Sequence, residues 1–196
     1  MVRRNPERRA ALLDAAIEVL AREGARGLTF RAVDQQAAVP GGTASNYFTN
    51  REDMLTQASE RVYERLEPDE ALLASGLEGP RDRARVAGLM HVLVDRVAAF
   101  PTGFLALLEL RLEATRRPEL REVLTHRIRA DVDFNISNHL ESGLPGDATT
   151  VVLLYLALNW LILEALTLPD LFSAEHRRDL VTALVERLLA GETGGQ

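Results

Sequence analysis

The 196-residue sequence predicts an all-α protein: a small N-terminal three-helix unit followed by a larger helical domain, about nine helices in total. Three observations predict it. Apolar residues recur at three-to-four spacing in nearly every segment, as they do on one face of a helix. No segment alternates with period two over a useful length, so no sheet is expected. Helix-opening residues (Ser, Thr, Asp, Asn or Pro) stand ahead of most of the apolar stripes.

The elements follow in order. Leu12, Leu13, Ala16, Ile17, Leu20 and Ala21 form one face between about Pro6 and Glu23, and Gly24 and Gly27 are expected to end that helix. Thr29 is a suitable N-cap for a short helix that turns Phe30, Val33 and Ala37 inward. The run Val39-Pro40-Gly41-Gly42 breaks the pattern, because a residue before proline is biased away from helix. A second short helix is expected from about Gly41 to Phe48. Asn50, with Asp53 three residues on, resembles a capping box opening a helix from about Arg51 to Leu66.

A polar stretch, Glu67 to Gly79, separates this part from the rest. Pro80, Pro101 and Pro118 are each expected in the first turn of a helix. Stripes at Met90, Leu93, Val94, Val97, then Phe104, Leu107, Leu108, Leu112, then Leu120 through Ile136, mark three helices, the last ending near Ser142-Gly143. Asp147 caps an apolar helix over 148–167, and Ser173 caps the final one, near 173–190. The glycine-rich tail 191–196 is expected to fray.

Composition narrows the function. There is no cysteine, which excludes disulfides, thiolate metal sites and cysteine nucleophiles. The four histidines show no metal-ligand spacing, so no metal and no cofactor is expected. Net charge is −6, but it is unevenly placed. Residues 1–61 hold nine arginines against eight acids, and the remainder fourteen against twenty-one. A polyanion needs only a local basic surface. Asp14 and Glu18 interrupt any signal-peptide core, and the apolar run Val151 to Leu163 falls short of the roughly 20 residues that span a bilayer. A cytoplasmic protein without membrane association is the expectation.

The stretch Leu28–Arg51 carries the functional signal. Two short helices joined by a tight break can seat one helix end in a DNA major groove, where base edges present distinguishable donors and acceptors. Gly41 and Gly42 permit close backbone approach. Thr43, Ser45, Asn46 and Tyr47 offer polar groups on the exposed side, with Ala44 and Phe48 as inward anchors. Arg31 can reach a guanine edge or a phosphate. Thr29 and Arg51 stand at helix N-termini, where amides favour phosphate. Arg3 and Arg4 are either phosphate or minor-groove contacts or part of a solvated terminus. Taken alone, the stretch also reads as two turns of amphipathic helix around a glycine break.

The longer string is more specific. Arg8-Arg9, Leu12-Leu13-Asp14-Ala15-Ala16, Gly27-Leu28-Thr29, Ala37-Ala38-Val39-Pro40-Gly41-Gly42-Thr43, Phe48 and Arg51 together resemble the N-terminal domain of the tetracycline-repressor (TetR) family of transcriptional regulators. The resemblance covers about residues 6–66. It implies a DNA-binding domain over 1–50, extended through the connecting helix, and a regulatory, ligand-binding and dimerisation domain over 51–196. Two departures stand out: Ala38 where the family has a turn glycine, and Ser45 where it has a phosphate-binding tyrosine. Asn46 and Tyr47 fall on positions that contact DNA in relatives.

The resemblance further implies a bacterial homodimer on a pseudo-palindromic operator, released by an unknown small-molecule effector. Helices near 148–167 and 173–190 are the expected dimer surface, with a central core helix of a monomer as the alternative. Polar or aromatic groups within apolar stretches are the candidate pocket residues: His91, Phe104, Glu109, Phe134, Asn135, Tyr155, Asn159 and Trp160. A helical enzyme is the rival from another class. Ser45, His91 and Asp95 are its nearest approach to a catalytic set, and nothing in the sequence makes them converge.

Overall fold

The computed structural model describes residues 5–67 and 79–190. Arg3, Arg4, most of the polar connection after Glu67 and the glycine-rich tail lie outside the described residues. Among those described are eight α-helices and one short 3-10 turn: α1 (Pro6–Gly27), α2 (Phe30–Gln36), the turn Ala44–Asn46, α3 (Arg51–Leu66), α4 (Arg83–Ala98), α5 (Pro101–Ala114), α6 (Pro118–Ser142), α7 (Ala148–Thr167) and α8 (Ala174–Leu189). No strand occurs among the described residues.

The expected caps form. Thr29 accepts the N–H of Ala32 at 3.1 Å, Asn50 that of Asp53 at 2.8 Å, Asp147 that of Thr150 at 2.8 Å and Ser173 that of His176 at 3.1 Å. Each satisfies an amide that a helix start leaves without an internal partner. Asp53 does reach back, but to the N–H of Thr49 at 2.8 Å rather than to that of Asn50.

Three expectations are corrected. The helix foreseen for Gly41–Phe48 is only the turn Ala44–Asn46. Gly24 bends α1 without ending it: its φ of 69° breaks the helix locally, and the chain resumes to Gly27. Pro80 does not sit in the first turn of α4; that helix opens three residues later, with Asp82 accepting the N–H of Arg85 at 2.8 Å. A side-chain oxygen able to accept an orphan amide outweighs the fixed φ of proline in setting that start.

Packing divides the chain into two compact units. The first joins residues up to Glu67 with Phe100–Arg127, so α5 is grouped with the N-terminal helices, a grouping the boundary at residue 50 does not contain. Here α1 is central, packing against α2, α3 and α5. Leu12, Ile17, Leu20, Leu28, Val33, Phe48, Met54, Leu55 and Val62 fill its core. Burying each contributes roughly 1.5–3 kcal/mol. Polar links reinforce it: Arg61 pairs with Asp14 at 2.9 Å, and Thr102 on α5 donates to Glu18 on α1 at 2.7 Å.

The second unit joins residues 79–99 with 128–190. α4 packs against α7 and α8 around Val86, Ala87, Leu144, Leu154, Val185 and Leu189. Within it, α7 is long and apolar enough to cross a membrane by length and composition, which the shorter run read from the sequence did not indicate. Only its Thr150, Leu154, Leu158 and Ile162 stripe is buried. Leu153, Leu156 and Trp160 stay exposed, Trp160 by 64%.

Candidate nucleic-acid interface

The reading unit is built around one buried carboxylate. Asp34, near the end of α2, is 2% exposed and accepts the N–H of Gly42 and that of Ala44, both at 2.7 Å. These are charge-assisted bonds in a water-poor setting, where such bonds are strong. They hold the turn that follows α2 in one position. Ala44 and Phe48 fill the space beneath it, as their apolar character requires.

The backbone between α2 and the turn is unusual in two places. Gly42 has φ 88°, which glycine adopts without steric cost, and a Cβ there would meet nothing within 4 Å. Ala38 has φ 52°, where an L-residue with a Cβ is strained. This is the position where the resemblance read from the sequence implies a turn glycine. The left-handed φ here falls on a residue with a Cβ.

Arg31, Gly41, Gly42 and Ser45 meet along one open groove, with Phe30, Asp34, Gln35 and Val39 completing its walls. Arg31, Gly41, Gly42, Ser45 and Asn46 are exposed, and Thr43 and Tyr47 are half-buried. The polar side chains are turned back on the turn itself. Thr43 Oγ1 donates to Pro40 O at 2.5 Å, Ser45 Oγ to Gly42 O at 2.8 Å and Asn46 Nδ2 to Gly42 O at 3.0 Å.

Two expected contact residues serve the fold. Thr29 caps α2. Arg51 opens α3, yet its guanidinium donates to Leu28 O at 3.1 Å and to Ala25 O. It thereby adds a donor to carbonyls at the end of α1, that of Ala25 also accepting the N–H of Leu28 at 3.2 Å. Sequence spacing did not point to Asp34 or to this use of Arg51, because each depends on contacts across elements.

The candidate pocket residues are divided between the units, Phe104 and Glu109 in the first and the other six in the second. Glu109 accepts the N–H of Ala25 at 3.2 Å, the amide next to the bend at Gly24. His91 bonds Thr182 on α8 at 3.0 Å. Asn135 and Asn159 donate to carbonyls one turn back, of Asp131 and Tyr155. Phe134 and Trp160 are exposed, while Phe104 and Tyr155 are half-buried.

Comparison with known proteins places this geometry. The family model described as bacterial regulatory proteins, tetR family, matches residues 12–58, and that described as tetracyclin repressor-like, C-terminal domain, matches residues 81–191. The chain belongs to the TetR family. Among curated relatives, the HTH-type transcriptional regulator BetI of Agrobacterium fabrum is 26% identical over 130 residues, 65% of this chain and 62% of the relative. The HTH-type transcriptional repressor KstR of Mycolicibacterium smegmatis is 36% identical over 72 residues, 36% of this chain and 35% of the relative. The chain thus spans less than two thirds of the length of these TetR-family relatives.

Solved structures extend the likeness over nearly the whole chain. A TetR-family member from Streptomyces coelicolor A3 aligns with TM-score 0.65 and 27% identity, covering 91% of this chain and 98% of that one. The fatty acid degradation regulator FadR of Bacillus halodurans aligns with TM-score 0.73 and 18% identity, covering 97% and 98%. FadR of Bacillus subtilis, solved in complex with stearoyl-CoA, aligns with TM-score 0.69 and 18% identity, covering 92% and 97%. The TetR family is one of transcription regulators, not enzymes.

Proposed function

We propose that the chain is a cytoplasmic, homodimeric transcriptional repressor that reads a pseudo-palindromic operator through the turn 41–47 and is released by a small-molecule effector. The single observation that carries this reading is the Asp34 staple. It fixes a glycine-opened, polar turn on the surface of a small helical head, as seating in a major groove requires. Arg31, Gly41, Gly42, Thr43, Ser45, Asn46 and Tyr47 form the proposed reading surface, with Thr29 and Arg51 at flanking helix starts and Arg3 and Arg4 as further phosphate contacts.

The dimer reading rests on α7. Its exposed Leu153, Leu156 and Trp160, and the exposed Leu180 of α8, are proposed to be covered by a second copy. A two-fold dimer presents two reading heads, which matches half-sites spaced along the duplex.

An effector acts by favouring the state in which the heads no longer match those half-sites. The same fold holds stearoyl-CoA in Bacillus subtilis FadR. The candidates for effector contact are His91, Phe134, Asn135, Tyr155, Asn159 and Trp160, together with Phe104. Glu109 was a candidate on the same grounds, and its bond to α1 favours a coupling role for it instead.

Selection of an operator from a random DNA library, followed by a gel-shift assay, tests the reading. Tyr47→Ala and Thr43→Ala are expected to weaken operator binding at least tenfold and leave the dimer intact. Unchanged operator affinity in both variants removes the turn from the interface.

A further inference from the structure

A second feature of the first unit is unrelated to the turn. Arg26 near the end of α1, Arg51 at the start of α3, and Glu113, Arg116 and Arg117 at the junction of α5 and α6 line an open cleft of ≈ 630 Å³. Four guanidiniums line the cleft with the carboxylate of Glu113, and counting Glu52, which pairs with Arg117, two net positive charges remain on a chain whose overall charge is −6. Such local inversion of charge is the electrostatic footprint of an anion site.

The cleft is also partly rigid. Arg51 is tied to the carbonyls of Leu28 and Ala25. Arg117 is held by Glu113 at 2.8 Å and by Glu52. Glu113 is already engaged with both Arg117 and, at 3.5 Å, Arg116. Arg116, 70% exposed and held only by that 3.5 Å pair, and Arg26, which makes no ion pair among the described residues, are the arginines placed to meet a ligand.

We propose that this cleft binds a phosphate group, with Arg26 and Arg116 as the primary ligands and Arg51 and Arg117 as the fixed wall behind them. Guanidinium forks match phosphate oxygens two at a time, and a phosphate has oxygens enough for two forks at once. Either a phosphodiester of DNA or a free phosphorylated metabolite supplies that chemistry. The site stands whether or not the operator reading holds.

The test is calorimetric titration of the full chain with inorganic pyrophosphate at low ionic strength, beside the variant R26A/R116A. Both side chains are exposed, so the fold is expected to persist, with an unchanged circular dichroism spectrum as control. Wild type is expected to bind pyrophosphate at least tenfold more tightly than the variant, and R26K/R116K to recover part of the loss.

Titration of a random-sequence duplex at several salt concentrations separates the sources. If DNA fills the cleft, the variant loses about one to two units of the slope of log affinity against log salt, and pyrophosphate competes with the duplex. If a metabolite fills it, the slope is unchanged and only pyrophosphate binding falls. Pyrophosphate binding equal in wild type and variant, or absent from both, together with an unchanged salt slope, overturns the proposal.

Discussion

The carboxylate of Asp34 and the backbone N–H of Ala44 stand 2.7 Å apart in a buried site, and the same carboxylate holds Gly42. One side chain at the end of α2 therefore positions the whole turn proposed to read DNA. Asp34→Ala leaves two amides without their acceptor, one of them buried, which costs about 1–3 kcal/mol for a buried unsatisfied group. A lowered thermal midpoint and loss of specific operator binding, with random-sequence binding retained, are the expected outcomes. Equal specific affinity in the variant removes the positioning role.

Ala38 holds a left-handed φ of 52°. That conformation costs an L-residue roughly 1–2 kcal/mol, part of which a glycine gives back through its freer unfolded chain. Ala38→Gly is expected to stabilise the protein by about 0.5–1 kcal/mol net, read as a higher urea midpoint at unchanged slope.

Gly24 bends α1 at φ 69°, and a Cβ there would lie 3.1 Å from Glu109 Oε2. Gly24→Ala combines backbone strain with pressure on the Glu109 to Ala25 bond. Destabilisation of about 1–2 kcal/mol is expected in urea unfolding. Because the two residues share a contact, the double variant with Glu109→Ala is expected to be less than additive.

Trp160 and Leu156 are the most exposed large apolar residues of α7, at 64% and 57%. Trp160→Glu places a charge on the proposed two-fold surface. Sedimentation is expected to show a monomer for this variant and a dimer for the wild type, and a monomeric wild type would sink the dimer proposal.

Glu113 carries an acid dependence. Its hydrogen bond to Arg117, above all, and the fields of Arg117, Arg51 and Arg116 hold its carboxyl below the ordinary 4.5, against burial, which pushes it up. A carboxyl with a lowered folded pKa adds stability that is complete above its unfolded value and is lost as pH falls through the folded one. The contribution is therefore present above pH 4.5 and declines below it. Glu113→Gln is expected to flatten that part of the acid unfolding curve.

What could be read from the sequence was local. Thr29, Asn50, Asp147 and Ser173 cap helices through bonds three residues long, and such bonds are written in spacing. The expectation for Pro80 failed because Asp82 was the stronger local signal. Asp34, Glu109 and Arg51 were illegible for another reason. Their partners lie 8 to 10, 84 and 23 to 26 residues away, and no local spacing names a partner at that distance. Arg51 shows it best: its place at a helix start suggested phosphate, while its guanidinium reaches carbonyls.

The inward bonds of Thr43, Ser45 and Asn46 bear on how such a head searches a genome. On the proposed reading, these side chains lose nothing on arbitrary sequence by staying folded against Pro40 and Gly42, so such a head would slide with its reading groups sheathed. A cognate half-site would have to offer partners good enough to exchange for bonds already made. Discrimination would then come from a trade of one bond set for another.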